Sequence, residues 1–512
     1  MFISRWVAVA GLLLLPACGS QDDGGTGAAQ AFAASAKSPP LLRAFLYRMP
    51  KGGDLHNHLS GAAYAEASIR AGAAAGGCVD PKTAKVVATT TCKAPNRPLA
   101  DAVHDADLNR KLVNAWSMRD FVPSVGNNRH DHFFGAFSRF GGAASKGDMA
   151  AEVADRAGRQ RMRYMELMAT FQGKAVADLA DKVAKSHPWT GDFTAFEAAL
   201  TEAGLPALVK KATAEIDATE QRMRAVLLCG TKVAHRGCGV TVRWLQQVTR
   251  TDTAARVFAA TIFGGLLQRG DKRVVGLDYV APEDDPNALA HYTDQMRMLD
   301  YLHGRMPDSN VSLHAGELTM GLVPPEDLLF HIRQAVELGH ARRVGHGVDV
   351  MYEEDPFGLL AEMAKKRVAV EINLTSNAQI LGVQGSDHPF PIYREAGVPV
   401  VLSTDDEGIE RVDRTHELQR AVTTYGLDWA ALVGLERNTL EYAFVPGASL
   451  WADPVTWRRA PDCDGTDPAS EPPAACAAFL RGSEKASLQW ALEADLAHFG
   501  RDEAAAFRVQ PR

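Results

Sequence analysis

His56-Asn57-His58 places two imidazoles two positions apart in a stretch that alternates, with Leu55, Asn57 and Leu59 on the opposite face. On a strand both rings project from the same face, and two imidazoles so spaced can bind one metal ion. Farther on, His314-Ala315-Gly316-Glu317 follows the apolar run Val311-Ser312-Leu313. His314 then falls at the carboxyl end of a buried strand, with Glu317 in the loop or first helical turn. A neutral imidazole is a common zinc ligand, and a nearby carboxyl can move protons to and from metal-activated water. Arg343-Val344-Gly345-His346-Gly347 is another compact strand end, and Val398 to Ser403 leads into Thr404-Asp405-Asp406. Each feature has an ordinary reading as well. His-x-His is common on strands, His346 could cap a turn, and Asp405-Asp406 could be a solvated pair or a helix cap.

These residues need elements to position them. Strand signals recur at the segment around His56, at Met162 to Met168, Val240 to Val248, Arg273 to Val280, the run ending at His314, Arg343 to His346, Val368 to Ile372 and Val398 to Ser403. Helical stretches separate them: about Asn287 to Leu302, Pro325 to Leu338 with Leu329, Ile332 and Val336 on one stripe, and Phe357 to Lys366 started by Asp355-Pro356. Repeated β-then-α with apolar strands predicts an α/β fold, a closed (β/α)8 TIM barrel. The chemically capable residues fall at carboxyl strand ends, where such barrels place active sites. An open doubly wound sheet is the competing fold, but no Gly-x-Gly-x-x-Gly loop follows the first strand.

His56, His58, His314 and Asp405 together offer three neutral nitrogens and a carboxylate, a set that suits Zn²⁺ with a position left for water. Glu317, His346 and Asp406 remain as proton carriers and orienting groups. Barrel hydrolases with two metals bridge them through a modified lysine ending strand four; Val274 to Val280 has no lysine there, so one metal per chain is expected.

The 512 residues, 46% hydrophobic and 23% charged, leave ample material for a core. A formal charge of -7 argues against a general nucleic-acid binder. At the amino terminus Arg5 precedes the apolar run Trp6 to Leu15, which ends in Leu15-Pro16-Ala17-Cys18. This resembles a bacterial lipobox, so residues 1–18 are expected to be a signal peptide with Cys18 lipidated. That implies export, with membrane contact only through the anchor, in a periplasmic or outer-membrane location; an ordinary signal peptide is the alternative. Residues 19–45 read as a flexible Gly-, Ala- and Ser-rich tether with a lead-in helix, 46–450 as the barrel, and 451–512 as an extension packing on it. Within the barrel, 71–98 reads as a surface insertion and 99–141 as helical and aromatic. The six remaining cysteines form sequence-local couples, 78 with 92, 229 with 238 and 463 with 476, one of many connectivities that an exported chain could use.

Met49-Pro50-Lys51 with His56-x-His58, then His314-Ala315-Gly316-Glu317, Gly345-His346-Gly347, Ser376-Asn377 and Ser403-x-Asp405-Asp406, in that order, resemble the adenosine deaminase family. The resemblance covers most of residues 46 to 450. The signal peptide, the cysteines and the Pro-Lys-Gly stretch look most like its secreted branch, the adenosine deaminase-related growth factors. It implies an amidohydrolase-type barrel with one zinc ion on His56, His58, His314 and Asp405. Glu317 would protonate purine N1 as hydroxide attacks C6. His346 and Asp406 would orient that hydroxide, with Asp406 also touching the base, and ammonia would leave as adenosine becomes inosine. Ala281 and Ser60 stand at the family's base- and ribose-contacting positions, where glycine and an acidic residue are usual, and Pro282 follows Ala281. Asn373-Leu374 replaces a Cys-Pro, and Glu407 replaces a proline. Another purine nucleoside or aminated analogue therefore stays open. So do a different amidohydrolase substrate, a non-catalytic surface binding protein, and a homodimer.

Overall fold

The computed structural model describes residues 23–507 apart from 90. Cys18 and the signal segment lie outside the described residues. Eight parallel strands form the centre: β1 Lys51–His58, β2 Met162–Ala169, β3 Thr241–Thr249, β4 Val274–Val280, β5 Ser312–Ala315, β6 Arg343–His346, β7 Ala369–Ile372 and β8 Val400–Leu402. Strands β1 to β4 pair in sequence order, and so do β5 to β8. Single bridges, Leu277 to Val311 and Asn57 to Asp405, close the two halves into a barrel.

Helices such as Ala254–Gly270, Pro286–Arg305 and Pro356–Lys366 return the chain from one strand to the next. The long crossovers put every strand between helix and barrel interior, which is why β4 and β5 are buried along their whole length. Lys51 explains the Pro-Lys-Gly stretch as architecture. Its ammonium is fully buried at the start of β1 and donates to the carbonyls of Leu46, Met49 and Gln160 at 2.6, 3.0 and 2.9 Å.

Two expectations need correction. The tether through residue 40 is instead a helix, Asp23–Ser35, for most of its length. Ala28, Ala31 and Phe32 are buried on one face, and the Phe32 ring packs 5.8 Å from Phe45 and 6.2 Å from Trp429. The 3.6-residue period is present in the sequence, but alanine carries most of it, so the stripe looks like a spacer. The helix expected from Pro325 begins at His331 instead; Pro325–Leu328 is a 3-10 turn, and Leu329 is exposed. At the first residue of this helix the buried His331 ring meets Glu283 at 2.7 Å.

Residues 65–116 build a small unit on the barrel's rim. A helix, Ala65–Ala74, and a three-stranded antiparallel sheet enclose Ile69, Val79, Leu99, Leu112 and Trp116. Disulfides join Cys78 to Cys92, Cys229 to Cys238 and Cys463 to Cys476, the sequence-local pairing. At the carboxyl end the helix Glu484–His498, N-capped by Ser483, lays Leu492 and Leu496 on the main core and ties Glu493 to Arg437 at 2.7 and 2.8 Å. Among the described residues no helix is long and apolar enough to cross a membrane.

Candidate active site

Seven of the residues singled out by type and spacing meet at the carboxyl end of the barrel: His56 and His58 from β1, His314 from β5, Glu317 just after it, His346 from β6, and Asp405 and Asp406 after β8. The backbone stitches β1 to the aspartate turn, with Asp405 N–H donating to His56 C=O at 2.9 Å and His58 N–H to Asp405 C=O at 3.2 Å. Both His346 (φ 69°) and Asp405 (φ 56°) sit in the left-handed region. Such conformations cost about 1–3 kcal/mol each and persist where surrounding structure over-determines them.

The inward-facing atoms converge. His58 Nε2 and His314 Nε2 are 3.0 Å apart. Asp405 Oδ1 lies 3.4 Å from His58 Nε2 and 3.6 Å from His56 Nε2, while its Oδ2 lies 3.7 Å from His346 Nε2. Candidate ligand atoms of His56, His314, His346 and Asp405 all fall within 4.8 Å of one another, as do those of His58, Asp405 and Asp406.

Behind the rings, each Nδ1 is held by a partner. Glu371 meets His56 at 2.7 Å, Asp278 meets His314 at 2.9 Å, Gln247 meets His58 at 2.9 Å and Asn377 meets His346 at 2.9 Å. Glu371 is itself fixed by Ser312 Oγ at 3.0 Å and by the buried guanidinium of Arg343, which reaches Glu166 at 2.6 Å. Outer partners of this kind set ring orientation and ligand basicity. Of these, Asn377 entered the sequence reading only as part of a motif, and Glu371, Asp278 and Gln247 did not enter it at all. Their signal was available for the two acids: a carboxylate inside Val-Ala-Val-Glu-Ile or Gly-Leu-Asp-Tyr-Val is a charge in a buried strand and needs a partner.

Glu317 is placed from the loop after β4. The Glu283 carboxylate accepts from the N–H groups of Gly316 and Glu317 at 3.2 and 2.9 Å and faces His331 Nδ1 at 2.7 Å. Gly316 has φ 75°, and a Cβ there would lie 2.4 Å from Asp349 Oδ1, so this turn requires glycine. Glu317 Oε1 ends 3.5 Å from His346 Nδ1.

Burial dominates the electrostatics, and neighbouring charge decides the exceptions. Burial pulls His58 down to about 4 and His346 to about 3, and holds His314 well below its ordinary value. Burial pulls on His56 too, but Glu371, Asp405 and Asp278 outweigh it and raise the ring to about 9. Asp405 stays ionised because the surrounding imidazoles overcome its desolvation. Burial and the charge of Asp405 push the carboxyl groups of both Glu317 and Asp406 well above the ordinary carboxylate range.

This arrangement fits a cation. Among the described residues, His56 Nε2, His346 Nε2 and Asp406 Oδ1 are buried without a hydrogen-bond partner. Orphaned polar atoms around a buried carboxylate are what a bound metal and its water satisfy together. Ligands on one zinc at about 2.0–2.1 Å stand roughly 3 Å apart, the separation His58 and His314 show. Ser60 and Ala281 contribute no atom to the converging set. Ser60 is half-buried in the turn Leu59–Ala62, and Ala281 follows β4 with φ 80°, a strained setting for a residue with a Cβ.

The family profile of adenosine deaminase matches residues 147–449. The chain belongs to the adenosine deaminase family. Curated relatives share local identity with it. Adenosine deaminase of Vibrio atlanticus (strain LGP32) is 32% identical over 135 residues, 26% of this chain and 37% of that protein. Adenosine deaminase of Clostridium perfringens is 28% identical over 174 residues, 34% and 47% respectively. The matched stretch thus spans less than half the length of these relatives. Among solved structures, the Arabidopsis N6-mAMP deaminase MAPDA aligns over 79% of this chain and 96% of its own, at 19% identity and a TM-score of 0.49. Within the family profile lie His314, Glu317, His346, Asp405 and Asp406; His56 and His58 lie before it.

Proposed function

We propose that this chain hydrolytically deaminates adenosine or a related purine nucleoside, with one zinc ion held by His56, His58, His314 and Asp405. The observation that carries the reading is a buried Glu317, its backbone held by Glu283, beside a cation-ready cluster of imidazoles and Asp405. Zinc, when bound, brings the pKa of a water from about 15.7 towards about 7.

The chain's own residues do the rest. Glu317, neutral and pinned by Glu283, hands its proton to the ring nitrogen beside the amino-bearing carbon. As water's oxygen bonds to that carbon, His346 and Asp406 orient it. Water gives up both its protons as its oxygen becomes the new carbonyl: one goes to the amino group, whose carbon–nitrogen bond breaks so that ammonia leaves, and the other restores Glu317. Ser60 and Ala281 are the candidate sugar and base contacts.

The deciding experiment is ammonia release from adenosine, deoxyadenosine, adenine, methylthioadenosine and guanosine by zinc-loaded protein. Turnover of a purine nucleoside at one metal per chain is expected. Turnover of none of them would end the reading, and two metals per chain would favour a different amidohydrolase.

We also propose export with a lipid on Cys18. The three disulfides support an oxidising compartment. Incorporation of labelled palmitate in a bacterial host, lost in Cys18→Ala, is the expected result.

A further inference from the structure

The four imidazoles differ in what anchors them, and one anchor can be followed to its end. The helix Phe390–Glu395 opens with the N–H of Phe390, which can only donate. It donates to Nδ1 of His388 at 3.1 Å. His388 is 2% exposed and held neutral, down at about 4, by burial and the nearby Arg420. A neutral ring that accepts at Nδ1 carries its hydrogen on Nε2. His388 Nε2 lies 3.0 Å from Asn377 Oδ1, so the Asn377 amide is oriented with oxygen toward His388. Its NH2 group then faces His346, 2.9 Å from Nδ1. The flipped amide would set two hydrogens against each other at His388 Nε2 or at Phe390. His346 Nδ1 is therefore an acceptor, and Glu317 Oε1, at 3.5 Å, is too far to claim a hydrogen from it.

His56 and His314 are opposite. Glu371 faces His56 Nδ1 at 2.7 Å, and Asp278 Oδ1, which already accepts from the His314 backbone N–H at 3.1 Å, faces His314 Nδ1 at 2.9 Å, so each Nδ1 carries a hydrogen and Nε2 is the nitrogen left to meet a metal. Gln247, behind His58, has no fixed anchor. Its other partner is the Thr170 hydroxyl at 3.0 Å, which donates or accepts equally, so its carbonyl is free to face His58 Nδ1. Distance alone groups His346 with His56, His314 and Asp405. The hydrogen-bond chain separates it from them.

We infer that His388 is a positioning residue which, through Asn377, fixes His346 with hydrogen on Nε2, so that His346 meets the reacting oxygen as a hydrogen-bond donor and not as a metal ligand. The role assigned to the reacting oxygen rests on the deaminase reading; the tautomer does not.

The test uses the full zinc-loaded chain with ¹⁵N-histidine, reading each ring nitrogen as pyrrole-type or pyridine-type by two-bond proton–nitrogen correlation. The His346 signals are assigned by their loss in His346→Gln. Wild type is expected to show a pyrrole-type Nε2 at His346, and a pyridine-type Nε2 overturns the inference whether or not any variant folds. In His388→Gln, a side-chain amide can still accept from Phe390 and donate to Asn377, so tautomer and kcat are retained. In His388→Phe the Asn377 amide is free to turn. Pyridine-type signal appears at Nε2 and kcat falls about 10- to 100-fold, with zinc content and KM held. Unchanged kcat and tautomer in His388→Phe would also overturn it. Failure of wild type to release ammonia from any aminopurine would strike the deaminase reading, while the spectrum still decides the tautomer.

Discussion

The backbone N–H of Glu317 donates to the carboxylate of Glu283 at 2.9 Å, across 34 residues of sequence. Burial alone would raise the Glu283 pKa, but His331 and Arg250 outweigh it and hold it below the ordinary value of 4.5. A carboxyl depressed in the fold contributes stability above its unfolded pKa and loses it as pH falls through the folded one. Glu283→Gln is therefore expected to cost about 3–5 kcal/mol at pH 7, because His331 and Arg250 lose their buried partner. The deficit should shrink as pH falls below about 4.3, where the carboxyl of the unfolded chain takes up its proton before the folded one does. Denaturant unfolding at the two pH values checks this. A loosened Glu317 also predicts a lower kcat.

Glu317→Gln keeps the shape and the backbone bonds to Glu283 but has no proton to give. Turnover is expected to fall about 10²–10⁴-fold with zinc content unchanged. Because burial and Asp405 raise the Glu317 pKa, the wild-type carboxyl donates only below that raised value. Wild-type kcat should therefore drop on the alkaline side, and residual activity of Glu317→Gln should lack that limb. Retained full activity in the variant would remove Glu317 from its role.

The barrel and the inner residues were legible because strand ends advertise themselves. The seven clustered residues all lie at or just past the carboxyl ends of strands β1, β5, β6 and β8. Glu371 and Asp278 were legible in principle as charges inside buried strands, yet which ring each would meet depends on barrel closure, which no local pattern carries. Gln247 and His388 gave no local signal at all; His388 follows an exposed 3-10 turn, and its meaning comes from the Phe390 N–H and from Asn377 eleven residues away. Alanine hid the helix Asp23–Ser35 for a related reason: a small side chain records burial without announcing hydrophobicity.

Glu371 faces His56 at 2.7 Å while bound to Arg343, and the Arg343 charge with the hydrogen bond from His56 outweighs burial to bring its pKa to about 2. As a carboxylate it stabilises hydrogen on His56 Nδ1 and enriches the lone pair on Nε2. In Glu371→Gln the amide oxygen can still face the ring but carries no charge. Zinc affinity is expected to fall about 10- to 100-fold, read by competition with a chromophoric chelator. An unchanged affinity would mean that His56 is not a ligand. Glu371 should remain ionised down to about pH 2, so metal release on mild acidification would report the histidines and Asp405 instead.

Phe32 joins the helix Asp23–Ser35 to the body through Phe45 and Trp429, with Phe45 in turn meeting Phe499 at 5.2 Å. It is 4% exposed, and its loss leaves a cavity between the amino-terminal helix, the helix Pro39–Arg48 and the carboxyl-terminal segment. Phe32→Ala is expected to cost about 3–5 kcal/mol, the range for large-to-small changes in a packed core. A spacer would instead tolerate the change with no shift in Tm. Since Phe32 is remote in sequence and element from the imidazole cluster, kcat and zinc content should be unchanged at temperatures where the variant is folded. A Tm equal to that of wild type would show that the helix contributes nothing to the fold and would restore the tether.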